Sequence, residues 1–141
     1  MKIWRLILFP ALLLSLVAGL GLPARAEAVQ QRKLLVELRR EGGFAGFDDR
    51  VRVYTNSCVR LSRRTGPTVD KCLTRAEWRT LRAHLKRLKL GRSQARPQGA
   101  DFLKYTLTYR GHRVSKYHLT KTWSPVVRDL EKALEKYWAP D

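Results

Sequence analysis

The chain has 141 residues, 44% of them hydrophobic, and its 29 Lys and Arg against 12 Asp and Glu give a net charge of +17. That length supports one hydrophobic core and excludes an array of domains. So large a basic excess predicts attraction to something anionic, but it bears on association and solubility and not on fold or specific activity.

Lys2 and Arg5, the apolar stretch from Leu6 to Leu22, and Ala24-Arg25-Ala26 have the layout of a cleavable signal peptide over residues 1–26. The competing reading is an uncleaved anchor, because a spanning helix needs roughly 18 to 20 apolar residues. Pro10, Gly19, Gly21 and Pro23 interrupt the stretch and the Ala-Arg-Ala site follows at once, which favours cleavage and makes Glu27 the new N-terminus. The cleavage point has no Cys to carry a lipid anchor, and no later segment is apolar enough to span a membrane. The expectation is an exported protein, periplasmic or extracellular, with one domain over residues 27–141. Three bases (Lys2, Arg5, Arg25) and none of the acids precede Glu27, so +14 of the charge remains on that domain.

After a polar lead-in from Glu27 to Gln31, Leu34, Val36 and Leu38 alternate with Leu35, Glu37 and Arg39, the period of a strand with one buried face. Gly42-Gly43-Phe44-Ala45-Gly46 breaks that strand. A second strand is predicted over Arg50–Thr55, with Val51 and Val53 on one side and Arg50, Arg52 and Tyr54 on the other. Asn56-Ser57 suits a tight turn into a third strand, Cys58–Ser62, and Arg63–Asp70, with Gly66-Pro67, reads as a loop. Cys58 and Cys72 are the only cysteines. After export an even pair is most simply a disulfide, and the pair lacks the Cys-x-x-Cys spacing and nearby histidines of a redox or metal site.

Thr74-Arg75-Ala76-Glu77 has the form of a capping box. A helix should follow to about Leu90, with Trp78, Leu81, Leu85 and Leu88 on its apolar stripe, Arg75, Arg79, Arg82, Lys86 and Lys89 mostly off it, and Gly91 as its stop. Residues 92–100 read as a linker loop. Phe102–Tyr109 and Arg113–Thr120 are two further strands around an Arg110-Gly111-His112 turn. Ser124 as N-cap and Pro125 at the first helical position open a last helix, whose stripe is Val126, Val127, Leu130, Leu134, Tyr137 and Trp138. The expected fold is α+β: an antiparallel sheet of about five strands in the order β-β-β-α-β-β-α, with both helices on one face.

Catalytic motifs are missing from the sequence. His84, His112 and His118 fall in a helix, a turn and a strand, without a His-Glu-x-x-His pair or a Gly-x-Ser-x-Gly elbow, and read as packing or surface residues. The Gly42–Gly46 run lacks the Lys-Ser/Thr ending of a phosphate-binding loop. The expectation is a protein that is not an enzyme and holds no cofactor or metal. Basic residues on the first helix, with Arg39, Arg40, Arg60, Arg63 and Arg64 near strand ends, would suit an anionic polymer or nucleic acid, while export argues against an intracellular nucleic-acid role. A solvated basic surface is the plain alternative.

The run Arg39-Arg40-Glu41-Gly42-Gly43-Phe44-Ala45-Gly46 resembles the emfourin family, proteinaceous inhibitors of thermolysin-like zinc metalloproteases. The resemblance extends through Leu73-Thr74 and a helix with Leu81 and Leu85, then a Tyr105-Thr106-Leu107 strand and a closing helix, over most of Lys33–Trp138. It implies a protease-contact loop at Gly42, Gly43, Phe44, Ala45 and Gly46, with Arg40 beside it. Two readings of the loop stand side by side: the glycines supply unusual backbone while Phe44 folds into the core, or the loop presents Phe44 to a protease cleft. A metal ligand for the protease would come from the Glu27 amine or from the carboxylate at Asp141. The export leader and the Cys58 and Cys72 pair depart from the family picture and leave the target enzyme open.

Overall fold

The computed structural model describes residues 32–99 and 101–138. The expected signal peptide over residues 1–26, the lead-in with Glu27, and the end of the chain at Asp141 lie outside the described residues. Every element belongs to one compact unit, Gln31–Asp141.

Four strands follow one another as antiparallel hairpins: β1 (Leu34–Gly42), β2 (Phe47–Tyr54), β3 (Cys58–Ser62) and β4 (Val69–Cys72). Helix α1 (Arg75–Arg87) leads to a second hairpin of β5 (Leu103–Tyr109) and β6 (His112–Lys116), and helix α2 (Trp123–Tyr137) closes the fold. Because β5 pairs with the free side of β1, the six-stranded sheet has the order β4-β3-β2-β1-β5-β6, with β1 held on both sides. The architecture is the expected α+β one, with one strand more than the sequence suggested.

The alternation read from the sequence holds for Val36, Leu38, Val51 and Val53, which lie in the core with Val59, Leu61, Leu107, Tyr109 and Val114, whereas Leu34, expected on the same face, is exposed. Leu81 and Leu85 of α1 and Val126, Val127, Leu130 and Leu134 of α2 pack with them in one cluster. Burying each such side chain is worth about 1.5–3 kcal/mol, which is why two amphipathic helices stay on this face. Trp123, also fully buried, satisfies its indole N–H by donating to the carbonyls of Lys89 and Leu90, both at 3.2 Å. The opposite face of the sheet is open and laced with ion pairs: Arg52 with Glu37, Arg60 with Asp70, Arg39 with Asp48 and Glu41, and Lys104 with Glu41.

Five boundaries differ from the sequence expectation. Strand β2 begins at Phe47 and not at Arg50, because Phe47, Asp48 and Asp49 pair with Gly42, Glu41 and Arg40 of β1. The end of the supposed Arg63–Asp70 loop belongs to β4, whose exposed Asp70 and Lys71 hide any apolar alternation; pairing to β3, the Arg60–Asp70 ion pair and the Cys58–Cys72 disulfide make it a strand. Helix α1 ends at Arg87, because Leu88 is extended (ψ 124°) and the carbonyls of Lys89 and Leu90 are turned to Trp123; Gly91 is not its stop. Strand β6 ends at Lys116, because the amides of Tyr117 and His118 donate to the side-chain carbonyl of Gln94, at 2.8 and 3.1 Å. Residues of the linker loop thereby lie along the outer edge of the sheet, a common way to cap an exposed strand. Helix α2 starts at Trp123 with Thr122 as N-cap, so Ser124 and Pro125 sit inside its first turn, where a missing amide hydrogen still costs nothing.

The capping box at Thr74 is present and does more than start α1. The Thr74 hydroxyl accepts from the Glu77 amide at 3.2 Å, and the Glu77 carboxylate accepts from the Thr74 amide at 2.8 Å. The same carboxylate accepts from Lys136 and from the Tyr137 hydroxyl, both at 2.7 Å, joining the start of α1 to the end of α2. Partial burial alone would raise the Glu77 pKa, but the hydrogen bonds from Lys136, Tyr137 and Thr74 outweigh it and bring the carboxyl down to about 2.

Two predictions follow from these ties. A group with a depressed folded pKa contributes stability that is present above its unfolded value and lost as pH falls through the folded one. Acid titration of the folded chain should therefore lose about 1–2 kcal/mol between pH 5 and 2 through Glu77, a value discounted for its partial exposure. Glu77→Gln should remove that part of the slope in urea melts across this range. The Cys58–Cys72 bridge closes a loop with a sequence separation of 14. Replacing both cysteines with Ser should cost about 3 kcal/mol, and hydrogen exchange should rise more in Val69–Cys72 than in β1.

Candidate functional site

Strands β1 and β2 stay in register to Gly42↔Phe47, so only Gly43-Phe44-Ala45-Gly46 makes the turn between them. Gly42 (φ 89°) and Gly46 (φ 62°) adopt left-handed backbone that side chains rarely take. At Gly42 space forbids substitution as well, since a Cβ would stand 2.9 Å from the backbone oxygen of Phe102; at Gly46 a Cβ would meet only the end of the exposed Arg64 side chain, at 2.7 Å. The Gly43 amide donates to that Phe102 carbonyl at 3.2 Å, and the Gly46 amide closes the turn on the Gly43 carbonyl at 3.0 Å.

Phe44 stands at the head of this turn with 94% of its surface exposed. Of the two readings of the loop, folding of Phe44 into the core is excluded. The glycines do supply unusual backbone, and the result of that backbone is to hold the phenyl ring out. Ala45 is exposed beside it, and Phe47, 37% exposed, forms the base of the tip.

Arg40 occupies a different place from the other five loop residues named from the sequence. Its side chain is only 16% exposed and bridges three elements. The guanidinium is paired with Asp49 of β2, donates to Glu131 of α2 at 2.8 Å, and lies 4.5 Å above the Phe47 ring. Burial alone would favour the neutral guanidine, but the hydrogen bond to Asp49 and the charges of Glu131 and Asp49 overcome it and hold Arg40 charged. Asp49, 5% exposed, is a buried carboxylate on the core side of β2 that the hydrophobic pattern did not reveal. Arg40 thus supports the tip from below and is not open to a contact of its own.

Beside the tip runs a shallow groove of about 460 Å³ that includes Phe47, Asp48, Arg63, Arg64 and Trp138. Arg63 stacks 4.9 Å over the Trp138 ring, and the Trp138 indole donates to the Pro67 carbonyl at 2.9 Å. Phe47 and Trp138 line this groove, and sequence reasoning named neither as part of the site. The signal for Phe47 was available, since a second Phe follows the glycine run by one position, but Trp138 reaches the groove only through the packing of α2.

Among the described residues no three His, Cys, Asp or Glu side chains gather as a metal site. His84 is paired with Asp129 at 2.6 Å between the helices, and His112 and His118 are exposed on separate segments. The Glu27 amine and the Asp141 carboxylate lie outside the described residues. Two groups of basic side chains contrast with each other. Arg39, Arg52, Arg60 and Lys104 on the open face of the sheet meet carboxylates, whereas Arg75, Arg79, Arg82 and Lys86 form one exposed stripe along α1 and meet none within 4 Å among the described residues.

Comparison of the chain with protein-family models, with curated proteins and with solved structures returned no match.

Proposed function

We propose that this is an exported, non-catalytic protein that binds and inhibits a thermolysin-like zinc metalloprotease through the tip Gly42–Gly46. The observation that carries the reading is Phe44, an aromatic side chain 94% exposed on a braced turn. Leaving such a ring in water forgoes about 1.5–3 kcal/mol of burial, and a partner pocket recovers it. The resemblance of the loop to the emfourin family supplies the class of partner, since thermolysin-like enzymes favour a bulky apolar side chain on the primed side of the cleaved bond. A turn held by two backbone hydrogen bonds and by the Arg40 cluster beneath it suits an inhibitor, which must occupy a cleft without being cut. The excess of basic charge would steer the chain to an acidic enzyme, an effect that fades with added salt.

A second reading, a module that binds an anionic polymer, is favoured by the stripe Arg75, Arg79, Arg82 and Lys86, whose charges have no carboxylate partner among the described residues. Such a module would be retained on heparin or DNA columns in a strongly salt-dependent way and would leave proteases untouched.

The first reading is tested by adding residues 27–141 to a panel of secreted thermolysin-like proteases and following peptide cleavage. Slowed cleavage at micromolar or lower inhibitor is expected; unchanged rates across the panel would reject it. Phe44→Ala should weaken inhibition at least 30-fold while leaving the thermal midpoint in place, because an exposed side chain contributes little to folding. Arg40→Ala should instead lower stability by about 3 kcal/mol, since it leaves buried Asp49 unpaired.

A further inference from the structure

At the end of β1 opposite the tip, the chain forms a pocket of about 530 Å³, within the size range of small-ligand sites. Strand β1 separates the two ends by nine residues, or about 30 Å. The register of β1 with β2 shifts between Leu34 and Val36, and this irregularity brings both Leu34 and Leu35 to the pocket wall. Leu34 is 39% exposed, one of only three large apolar side chains so open among the described residues; the other two are Phe44 and Phe47 at the tip. Leu85 and Tyr109 complete an apolar floor.

The rim has the opposite character. Lys33, Arg82, Lys86 and Arg110 come from three separate segments and converge on this floor, and no carboxylate lines the pocket. None of the four has an acidic partner within 4 Å among the described residues, although Arg39, Arg40, Arg52 and Arg60 each have one. Arg110 sits in left-handed backbone (φ 51°) at the β5–β6 turn and stacks 5.1 Å over the Tyr109 ring, so turn geometry aims its charge at the rim. Four cations around apolar side chains complement a molecule that is anionic at one end and hydrocarbon at the other.

We propose that this pocket binds an anionic lipid, its headgroup between Lys33, Arg82, Lys86 and Arg110 and its first methylenes on Leu34, Leu85 and Tyr109. Among the described residues no helix is long and apolar enough to cross a membrane, so the contact would be peripheral. Seated this way, the domain would hold the Phe44 tip about 30 Å from the lipid surface, turned outward. The inference does not depend on protease inhibition, since its carrier is the pocket and its readout is lipid binding.

The experiment uses residues 27–141, because all the elements belong to the unit Gln31–Asp141 and the apolar segment before it would enter bilayers by itself. Co-sedimentation is measured with vesicles of phosphatidylcholine alone and with phosphatidylglycerol added. Binding only to the anionic vesicles is expected. Each rim charge is worth about fivefold in partitioning. Lys86→Gln with Arg110→Asn, which keeps a residue tolerant of left-handed backbone, should therefore weaken binding about 25-fold, with an unchanged thermal midpoint. Leu34→Ser should weaken it while leaving heparin retention unaltered. Arg75→Gln with Arg79→Gln removes the same charge outside the pocket. An equal loss from that pair would reduce the effect to overall charge and overturn the proposal. Tighter binding of an oligonucleotide that shifts the amide resonances of Leu34, Leu85 and Tyr109 would overturn it too, by making a polymer the ligand.

Discussion

The contact between Arg40, Asp49 and Glu131 joins the two central strands of the first hairpin to α2, and the tip and the core both depend on it. A guanidinium only 16% exposed and a carboxylate 5% exposed carry a large desolvation cost, which is offset only when each has partners in good geometry. Arg40 has three: Asp49, Glu131 and the face of Phe47. Because Asp49 opposes Arg40 in the β1–β2 register, the cluster also opposes a slip of the hairpin, since a one-residue shift would strand both charges. The position of Phe44, two residues beyond the last paired position of β1, inherits that register.

Most of the fold was legible in the sequence because the core-facing positions alternate cleanly. Val36 and Leu38, Val51 and Val53, and the stripes of both helices were read correctly from period alone. Strand β4 was not, for a physical reason: at a sheet edge, with Asp70 and Lys71 exposed, it is specified by its neighbour and a disulfide and not by its own burial. Helix ends were misplaced where tertiary hydrogen bonds overrode local signals, as when the Trp123 indole claimed the Lys89 and Leu90 carbonyls ahead of Gly91. In the candidate site the glycine run announced unusual backbone, but the direction of Phe44 depends on the Phe102 carbonyl, which belongs to a segment 58 positions downstream. Arg40 was read as a surface contact because nothing local shows that Asp49 and Glu131 wait beneath it.

Charge is sorted over this molecule, and that sorting gives the net excess a meaning the total alone did not have. On the open face of the sheet, cations and carboxylates alternate across strands and largely neutralise one another, as in Arg52 with Glu37 and Arg60 with Asp70. Exposed pairs of this kind contribute little stability, and their main effect is to leave the sheet face without a strong field. Cations without an acidic partner among the described residues stand together on the outer face of α1 and around the pocket at the far end of β1, and Arg63 and Arg64 flank the tip. The two ends of one strand differ in what the cations surround: an exposed aromatic ring on a braced turn at Phe44, and an apolar floor at Leu34.

The tip also reconciles two demands that oppose each other. Glycines at Gly42, Gly43 and Gly46 permit the left-handed backbone the turn requires, but glycine has the most conformational freedom to lose, and a loose loop would lose it again on binding. Two backbone hydrogen bonds fix the turn from within: Gly43 to Phe102 and Gly46 to Gly43. From below, the Arg40 cluster fixes Phe47, and the Arg64 guanidinium lies against Gly46 and reaches its carbonyl at 3.5 Å. Much of the ordering cost is thus met during folding, by interactions that also hold the domain together. What is left for a partner is mainly the burial of one phenyl ring, the kind of central apolar anchor around which tight interfaces are built.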